Sequence, residues 1–337
     1  MQTFTNKSLK EYNTFGIDVK ARKFISVETV EELKELLKNS YASELFVLGG
    51  GSNMLLTGDI EKTVVHINLE GIRIKEDLED EVLVEAMAGE NWHQFVLFCL
   101  DHGFGGLENL SLIPGNVGTA PIQNIGAYGV EIKDTFEECT ALDVQTLELK
   151  KFSLEDCRFG YRDSIFKNSE KGRYIITQVT FRLTKNRHLL HTDYGSIGEY
   201  LAEEGIENPG IRDVSNAVIS IRRSKLPDPK KIGNSGSFFK NPVISNQQIT
   251  ELQEIYPEMP FYKVDEEHVK VPAGWLIDRA GLKGYREGDA GVHTKQALVL
   301  VNYGNATGQE ILRLSEKVQE RVYDLFKVKL QPEVNIF

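Results

Sequence analysis

The chain has 337 residues, 41% hydrophobic and 26% charged, a composition typical of a folded protein rather than a disordered one. Its formal net charge of −11 argues against a general nucleic-acid binder, because phosphate neutralisation requires a clustered basic surface. No stretch approaches the roughly 20 apolar residues of a membrane span and the N-terminus lacks the layout of a signal peptide, so we expect a cytoplasmic protein.

The first elements in chain order are a helix and a short strand. Residues 29–39 carry apolar side chains at helical spacing, and Thr29 and Glu32 are predicted to form a capping box at the start of this helix. The apolar run that ends at Leu48 predicts a strand, which leads into GGGSN (49–53).

Strands are next predicted at residues 63–67 and 81–89, and a helix at 91–103 that ends at Gly103. Alternating residues between 139 and 184, above all RYIITQVTFRL (173–183), indicate further β structure. The pattern thus predicts a mixed α+β part of about 220 residues, followed by a smaller α/β part.

The C-terminal part is predicted to contain two helices, at residues 245–256 and 307–326. The second helix is predicted to bury one apolar face made of Ile311, Leu314, Val318, Val322 and Leu325.

Two glycine-rich stretches stand out. GGGSN (49–53) follows a strand but lacks the register of a Rossmann fingerprint, so it is either a tight turn or a backbone cradle for phosphate. Residues 106–132 have no helical or alternating period and almost no charge. They predict an ordered loop around an uncharged or aromatic ligand, with a buried irregular crossover as the alternative.

Cysteines and cations support weaker interpretations. Cys99, Cys139 and Cys157 form no metal-type pair, so we expect reduced thiols that serve in packing. The run IRRSKLPDPKK (221–231) has five cations in eleven positions and is either a solvated surface or part of an anion pocket. HLLH (188–191) offers no third ligand nearby, so no metal site is expected.

Seven motifs then occur in a fixed order: NTFGIDVKA (13–21), VLGGGSNML (47–55), SLIPGNVGTAPIQNIGAYGVE (111–131), CRFGYRDSIFK (157–167), GNSGSFFKNP (233–242), AGWLID (273–278) and LQPEV (330–334). Together they resemble the UDP-N-acetylenolpyruvoylglucosamine reductase (MurB) family of peptidoglycan synthesis, over nearly the whole chain. The segment LLHTDYG (189–195) resembles the substrate loop of the type I branch.

The resemblance implies an FAD-binding fold of the vanillyl-alcohol-oxidase (PCMH) type in two subdomains, with a third domain over the substrate. The implied boundaries are residues 1–68 and 69–223 for the subdomains and 224–327 for the substrate domain, with residues 328–337 returning to the first. It also implies non-covalent FAD, NADPH as reductant, UDP-N-acetylglucosamine-enolpyruvate as substrate, and a monomer.

By the same resemblance, FAD is held by backbone amides of the two glycine stretches and by a few side chains. The cofactor-binding residues implied are Gly49, Gly50, Gly51, Ser52, Asn53, Pro114, Gly115, Gly118, Gln123, Asn124, Gly126 and Ala127.

Three motif residues match the catalytic positions of the family. Arg162 would stabilise the carboxylate that gains negative charge, and Glu333 would assist if protonated. Ser237 would give the proton to carbon, with Gly236 allowing close approach and the two following phenylalanines excluding water.

The substrate contacts implied are Tyr161, Tyr194 over the diphosphate, Lys225 as its cation, and Asn241 and Gln296 near the nucleotide-sugar. The resemblance has one departure: Asn335 occupies the position where many type I members have an arginine, so no ionic contact is implied there.

Two other functions stay open from the sequence, since a fold does not fix an activity. An oxidase of sugars or alcohols on the same fold would reoxidise rapidly in air, and the absence of His or Cys beside a glycine loop weighs against it. A non-catalytic flavin-binding or nucleotide-binding module would show no turnover with NADPH despite full FAD occupancy.

Overall fold

A computed structural model describes all 337 residues, and these divide into two compact, discontinuous units. Unit 1 consists of Met1–Lys7, Ala21–Gly50 and Ile60–Ser224. Unit 2 consists of Ser8–Lys20, Gly51–Asp59 and Lys225–Phe337. The three-domain division drawn from the resemblance stays a prediction.

Strands and helices are mixed along the chain, so the predicted α+β class is confirmed. The helices are α1 (Val30–Lys38), α2 (Trp92–Asp101), α3 (Leu154–Cys157), α4 (Ile197–Glu203), α5 (Ile211–Lys225), α6 (Asn246–Ile255), α7 (Ala273–Arg279) and α8 (Gly308–Phe326). The strands are β1 (Gln2–Ser8), β2 (Lys20–Val27), β3 (Leu45–Leu48), β4 (Met54–Leu55), β5 (Ile60–Ile67), β6 (Ile72–Asp77), β7 (Glu81–Met87), β8 (Gly126–Ala127), β9 (Val130–Glu131), β10 (Phe136–Asp143), β11 (Leu149–Ser153), β12 (Tyr174–Thr184), β13 (Val243–Ser245), β14 (Tyr262–Lys263), β15 (His268–Lys270), β16 (Arg286–Glu287), β17 (Ala290–Val292), β18 (Leu300–Asn302) and β19 (Asn335–Ile336).

The first sheet of unit 1 has the strand order β1-β2-β5-β3, and β5 pairs in parallel with both β2 and β3. Helix α1 buries Leu33, Leu36 and Leu37 in the hydrophobic cluster that this sheet also lines. Half of the predicted capping box is present, since Thr29 Oγ1 accepts a hydrogen bond from Glu32 N at 3.1 Å. The other half is not, because Glu32 Oε2 accepts from Glu28 N at 2.8 Å instead of from Thr29 N.

The second sheet of unit 1 is antiparallel, with the order β11-β10-β12-β7-β6. Helix α2 packs its apolar side against this sheet, and the rings of Trp92 and Phe95 lie 5.7 and 5.2 Å from Phe181. Alternation along β7 turns Glu85 away from this core. The Glu85 carboxylate, also buried, accepts hydrogen bonds from Arg73 Nε at 2.6 Å and Gln178 Nε2 at 2.9 Å.

Unit 2 contains two three-stranded antiparallel sheets, in the orders β13-β15-β14 and β16-β17-β18, and a parallel pair of β4 with β19. Helix α8 packs on β17 and β18. Phe15, Phe238 and Phe239 are buried together. The ring centroids of Phe15 and Phe238 are 6.3 Å apart, and those of Phe238 and Phe239 are 5.0 Å apart.

The buried face of α8 differs from its prediction at one position. Ile311, Leu314, Val318 and Val322 are buried as predicted, but Leu325 is 36% exposed and Phe326 is 1% exposed. At 3.6 residues per turn Leu325 lies nearer the centre of this face than Phe326, so spacing alone favours Leu325. Phe326 is buried instead because its ring packs against Tyr256 and Trp275.

Helices α3, α4, α5 and α7 were not predicted. The period of α5 is present in the sequence, since Ile211, Val214, Val218 and Ile221 are buried along it, but the cation run at its end obscured the pattern. All three cysteines are buried and unpaired by disulfides, as expected. None of the helices combines the length and apolar character that a membrane crossing requires.

The corrected face of α8 can be tested with two neighbouring residues. Phe326→Ala is expected to lower the free energy of unfolding by about 3–5 kcal/mol, because it removes a buried ring that contacts Tyr256 and Trp275. Leu325→Ala is the matched control and is expected to change it by less than about 1 kcal/mol. Urea denaturation of both variants measures the difference, and equal losses would contradict the assignment.

Candidate active site

Each unit holds part of the predicted site. Unit 1 holds Gly49, Gly50, Pro114, Gly115, Gly118, Gln123, Asn124, Gly126, Ala127, Tyr161, Arg162 and Tyr194. Unit 2 holds Gly51, Ser52, Asn53, Lys225, Ser237, Asn241, Gln296 and Glu333. The first glycine stretch, 49–53, is therefore divided between the two units.

The glycines of unit 1 allow segments of backbone to pack against each other. A Cβ atom at Gly50 would lie 2.6 Å from Asn116 Oδ1 and 3.0 Å from Gly115 Cα. One at Gly118 would lie 2.4 Å from Ala88 Cβ, and Gly118 N donates to Ala88 O at 3.0 Å. Since these separations exclude any side chain, the two glycine stretches form one close-packed backbone surface in unit 1.

A cavity of about 220 Å³ opens beside this surface within unit 1. Its lining is mostly apolar and includes Leu37, Val47, Gly49, Ile67, Ala88, Gly118, Thr119, Phe166, Tyr174 and Ile176. Apolar walls that meet glycine backbone suit a flat ring system held by few polar contacts.

Asn124 fixes the second glycine stretch from inside. Its backbone has the left-handed φ of 44°, and its side chain is fully buried. Asn124 Nδ2 donates to Glu131 Oε2 at 2.9 Å and to Gly160 O at 3.0 Å, while Oδ1 accepts from Lys133 N at 3.2 Å. With these partners, its amide joins the glycine stretch to the segment that carries Arg162.

Arg162 is half-buried, and its side chain lies against the hairpin of β8 and β9. Its Nη2 donates to Gly126 O at 2.6 Å, and a Cβ at Gly126 would lie 3.2 Å from Nη1. The guanidinium also lies over the exposed ring of Tyr161, with 5.5 Å to the ring centroid. These contacts orient a cation beside the glycine backbone.

Tyr194 lies in the loop between β12 and α4 and is 60% exposed. Its Cβ lies 3.4 Å from the position of a Cβ at Gly129, which has a φ of 82°. The tyrosine therefore stands against the glycine stretch, with its side chain accessible to a ligand.

Arg222, near the end of α5, was missed as an individual residue by the sequence analysis. Its Nε is buried and has no hydrogen-bond partner, and burial lowers the pKa of its guanidinium. Burial also raises the pKa of Tyr128, an effect that the Arg222 charge opposes, and burial with the charges of Arg223 and Arg222 lowers the pKa of His93. The signal was present, since Arg222 follows the buried Val218 by four residues.

Ser237 lies in an exposed position of a segment that is otherwise anchored in the core of unit 2. Phe238 N donates to Leu298 O at 2.8 Å, and both Phe238 and Phe239 are buried. The expectation that these two rings cover Ser237 is wrong, because they point into the core and hold the segment in place. Gly236 is required by its φ of 70° rather than by a lack of space.

Glu333 is half-buried and lies beside the serine segment. Glu333 N donates to Phe238 O at 2.8 Å. The neighbouring residue pair Phe239 and Pro332 forms an antiparallel bridge. Asn53 Nδ2 donates to Glu333 O at 3.4 Å. Unit 2 thus brings together Asn53, Ser237 and Glu333, which lie far apart in the sequence.

Asn335 makes neutral contacts at the position where an arginine was considered. Asn335 N and Nδ2 both donate to Asn53 O, at 3.2 and 3.0 Å. This residue therefore supports the glycine stretch instead of forming an ionic contact.

Two predicted substrate residues meet at the start of α7. Asn241 Oδ1 accepts from Ala273 N at 2.9 Å, and Gln296 Oε1 lies 3.2 Å from the position of a Cβ at Gly274. Lys225 is exposed, as a cation for a soluble ligand requires.

Comparisons with known proteins agree with the motifs. Residues 21–148 match the family model "FAD binding domain", and residues 228–337 match "UDP-N-acetylenolpyruvoylglucosamine reductase, C-terminal domain". The chain is 58% identical to the UDP-N-acetylenolpyruvoylglucosamine reductase of Flavobacterium johnsoniae, with 100% of both chains covered. It is 51% identical to that of Pseudomonas aeruginosa, with 98% and 97% covered.

A solved structure is also similar over its full length. The UDP-N-acetylenolpyruvylglucosamine reductase (MurB) from Thermus caldophilus has a TM-score of 0.67 and 26% identity, covering 100% of this chain and 98% of that one. With the matching FAD-binding domain, this similarity confirms the predicted FAD-binding fold.

The close packing at Gly118 leads to a prediction about the cofactor. Gly118→Ala is expected to displace residues 117–120 and to reduce the FAD content of the purified protein at least several-fold, because its new Cβ meets Ala88. Gly58→Ala is the control, since a Cβ there has no neighbour within 4 Å. The ratio of flavin to protein absorbance measures occupancy, and equal ratios in both variants would contradict this role for Gly118.

Proposed function

The chain belongs to the UDP-N-acetylenolpyruvoylglucosamine reductase family, and we propose that Arg162, Ser237 and Glu333 carry its reaction. It is an FAD-containing oxidoreductase that reduces the enolpyruvyl ether of UDP-N-acetylglucosamine-enolpyruvate with NADPH, giving UDP-N-acetylmuramate for peptidoglycan synthesis. The observation that most supports our assignment is the hydrogen bond of Glu333 N to Phe238 O, which sets the serine and glutamate motifs side by side.

The residues of the site fit FAD. The glycine backbone of residues 49–50 and 115–118 meets an apolar cavity in unit 1, which suits a ring system with few charges. When bound, FAD supplies the redox chemistry by taking a hydride from NADPH and giving it to the substrate. We expect Gly49, Gly115, Gly118 and their neighbours to hold it without a covalent bond.

Arg162 and Glu333 would act on the charge that the reaction creates. A hydride added to the terminal vinyl carbon leaves negative charge on the adjacent carbon, and this charge spreads into the attached carboxylate. Arg162, oriented by Gly126 O, can place its guanidinium against that carboxylate, and Glu333 in its acid form can donate a hydrogen bond to it. Donors fixed in advance toward developing charge contribute about 3–4 kcal/mol each.

Ser237 would complete the reaction by giving its hydroxyl proton to the carbon that carries the negative charge. Its exposed position allows a substrate to reach the hydroxyl, and the anchored Phe238 and Phe239 limit its movement. Because the two rings do not cover it, bound ligands must exclude water from Ser237. The alkoxide left on Ser237 then takes a proton from solvent, which balances the reaction.

The remaining predicted residues would bind the nucleotide-sugar. We assign Tyr194 and Lys225 to the diphosphate, because both are exposed and offer a hydroxyl donor and a cation. Asn241 and Gln296 would contact the nucleotide-sugar from their shared place at the start of α7. Tyr161, stacked beside Arg162, would bound the substrate pocket.

We further propose a monomeric, cytoplasmic enzyme. NADPH and UDP-sugars are metabolites of the cytoplasm, and three buried thiols without disulfides suit a reducing compartment. Light scattering of the purified protein tests the monomer.

The assignment of Ser237 predicts a selective defect. Ser237→Ala should leave reduction of FAD by NADPH nearly intact, because that half-reaction forms no carbanion. Reduction of the substrate should slow by about 10²–10⁴-fold, the range for loss of a general acid. Ser237→Cys should keep part of the rate, since a thiol also carries a transferable proton.

Stopped-flow absorbance of the flavin separates the two half-reactions of each Ser237 variant. Equal slowing of both halves would mean that Ser237 only shapes the pocket. A near-normal second half would mean that the proton comes from another group.

The assignment of Tyr194 predicts a defect in binding. Tyr194→Phe should weaken the affinity for the UDP-sugar substrate about 10- to 150-fold, as expected for the loss of a hydrogen bond to a charged group. Reduction of FAD by NADPH alone should change less. Titration of the flavin absorbance with substrate gives the affinity, and an unchanged value would remove Tyr194 from the site.

A further inference from the structure

Asn109 has no role in the reaction as assigned above, yet it contacts the two segments that meet at Tyr194. We propose that Asn109 is a positioning residue that sets the place of the Tyr194 loop (residues 188–195) against the glycine stretch. Its effect on catalysis rests on the proposed role of Tyr194, whereas its effect on the loop does not.

One side-chain amide makes both contacts. Asn109 is 1% exposed, and its Nδ2 donates to Tyr128 O at 3.0 Å and to His191 O at 2.8 Å. Tyr128 precedes Gly129 in the glycine stretch, and His191 lies three residues before Tyr194. Because an amide nitrogen has two hydrogens, Asn109 can satisfy both carbonyls at once.

Both hydrogen bonds of Asn109 act on the same contact, that of Tyr194 with Gly129. The Cβ of Tyr194 lies 3.4 Å from the position of a Cβ at Gly129, so the tyrosine leans directly on the stretch that Asn109 also holds. A change in either bond therefore alters the distance between the two surfaces that form this contact. Tyr128 and Leu190 also pack against the small cluster of α4 and α5, which keeps both segments near Asn109.

The turn that contains Asn109 is held in place by hydrogen bonds. Trp92 Nε1 donates to Leu110 O at 2.9 Å, and Gly106 N donates to Glu108 Oε2 at 2.7 Å. The Ser111 and Ser215 hydroxyls are hydrogen-bonded at 2.7 Å. Asn109 is thus part of a rigid turn, whereas the loop that it holds exposes Leu189 and Tyr194 to solvent.

The chemistry of Asn109 allows a clean substitution. Its Oδ1 is buried without a hydrogen-bond partner, so Asn109→Leu removes the two donated bonds while keeping a similar shape. Glu85→Gln is the control, because it weakens the ion pair of a buried carboxylate with the exposed Arg73, on the polar face of the antiparallel sheet and away from both segments.

The experiment uses the FAD-bound protein. The amide of Gly198 reports on the loop, because it donates to Thr192 O at 3.1 Å. For Asn109→Leu we expect hydrogen exchange of the Gly198 amide to accelerate about tenfold or more, and affinity for the UDP-sugar to fall about tenfold, the size of one or two lost hydrogen bonds. Reduction of FAD by NADPH should stay within about twofold of the original rate. Glu85→Gln should change none of these.

A double variant shows whether Asn109 acts through Tyr194. In a Tyr194→Phe background, Asn109→Leu should cost much less affinity than it does alone, because the two residues serve one contact. Fully additive losses would overturn the coupling, and unchanged exchange of the Gly198 amide would overturn the anchoring. Slowing of FAD reduction as large as the loss of affinity would reduce Asn109 to a general structural residue.

Two further outcomes are also decisive. If Tyr194→Phe alone leaves affinity unchanged, the proposed role of Tyr194 fails, and faster exchange in Asn109→Leu still establishes the anchoring. If Asn109→Leu does not retain FAD, Asn109→Ser keeps a single shorter donor, and the same exchange measurement on the Gly198 amide decides whether Asn109 anchors the loop.

Discussion

Close approach of backbone to backbone is the constraint on which unit 1 depends. Residues 106–132 have little regular secondary structure, yet their apolar side chains fill the core beneath the antiparallel sheet. Such a segment must pair its polar groups without a ladder of neighbouring strands. It does so by direct contacts that leave no room for side chains, as at Gly118, and by the buried amides of Asn124 and Asn109.

The same constraint explains why chemistry concentrates at this segment. A rigid backbone lets Arg162 take its orientation from Gly126 O and lets Tyr194 rest on Gly129. In unit 2, segments that are distant in the sequence hold each other in place, since the backbone of Glu333 is hydrogen-bonded to that of Phe238. In both units, residues assigned to the proposed site are held by hydrogen bonds to the backbone of another segment.

Local patterns in the sequence predicted helices α1, α2, α6 and α8 and the stronger strands, but not the remaining helices or the short strands. The capped helix α1 and the alternating strand β12 follow from short-range rules, and both are confirmed. The buried end of α8 was misjudged by one residue, because a single helical turn cannot separate Leu325 from Phe326 without knowing the opposing surface. The exposure of Ser237 likewise depends on the direction in which Phe238 and Phe239 pack into the core, which the local sequence does not give.

Motifs identified the family and hence the candidate residues, whereas their grouping required the fold. Nothing local in GGGSN indicates that Gly50 packs with Gly115 while Asn53 bonds to Glu333. Arg222 was not singled out from the sequence because it lies in a run of cations, and such runs are usually solvated. Asn109 was not singled out because the burial of a single asparagine leaves no periodic pattern in the sequence.

The pairing of β4 with β19 has a consequence for the order of folding. The contact of Asn53 with Glu333 spans 280 residues, so it can form only after the whole of unit 1 has been synthesised. Contacts of such high sequence separation bear a large loop-closure entropy and form slowly. Every segment of unit 1 has therefore been synthesised, and can fold, well before the C-terminal strand of unit 2. The last residues to leave the ribosome are the ones that join residues 51–59 to the rest of unit 2.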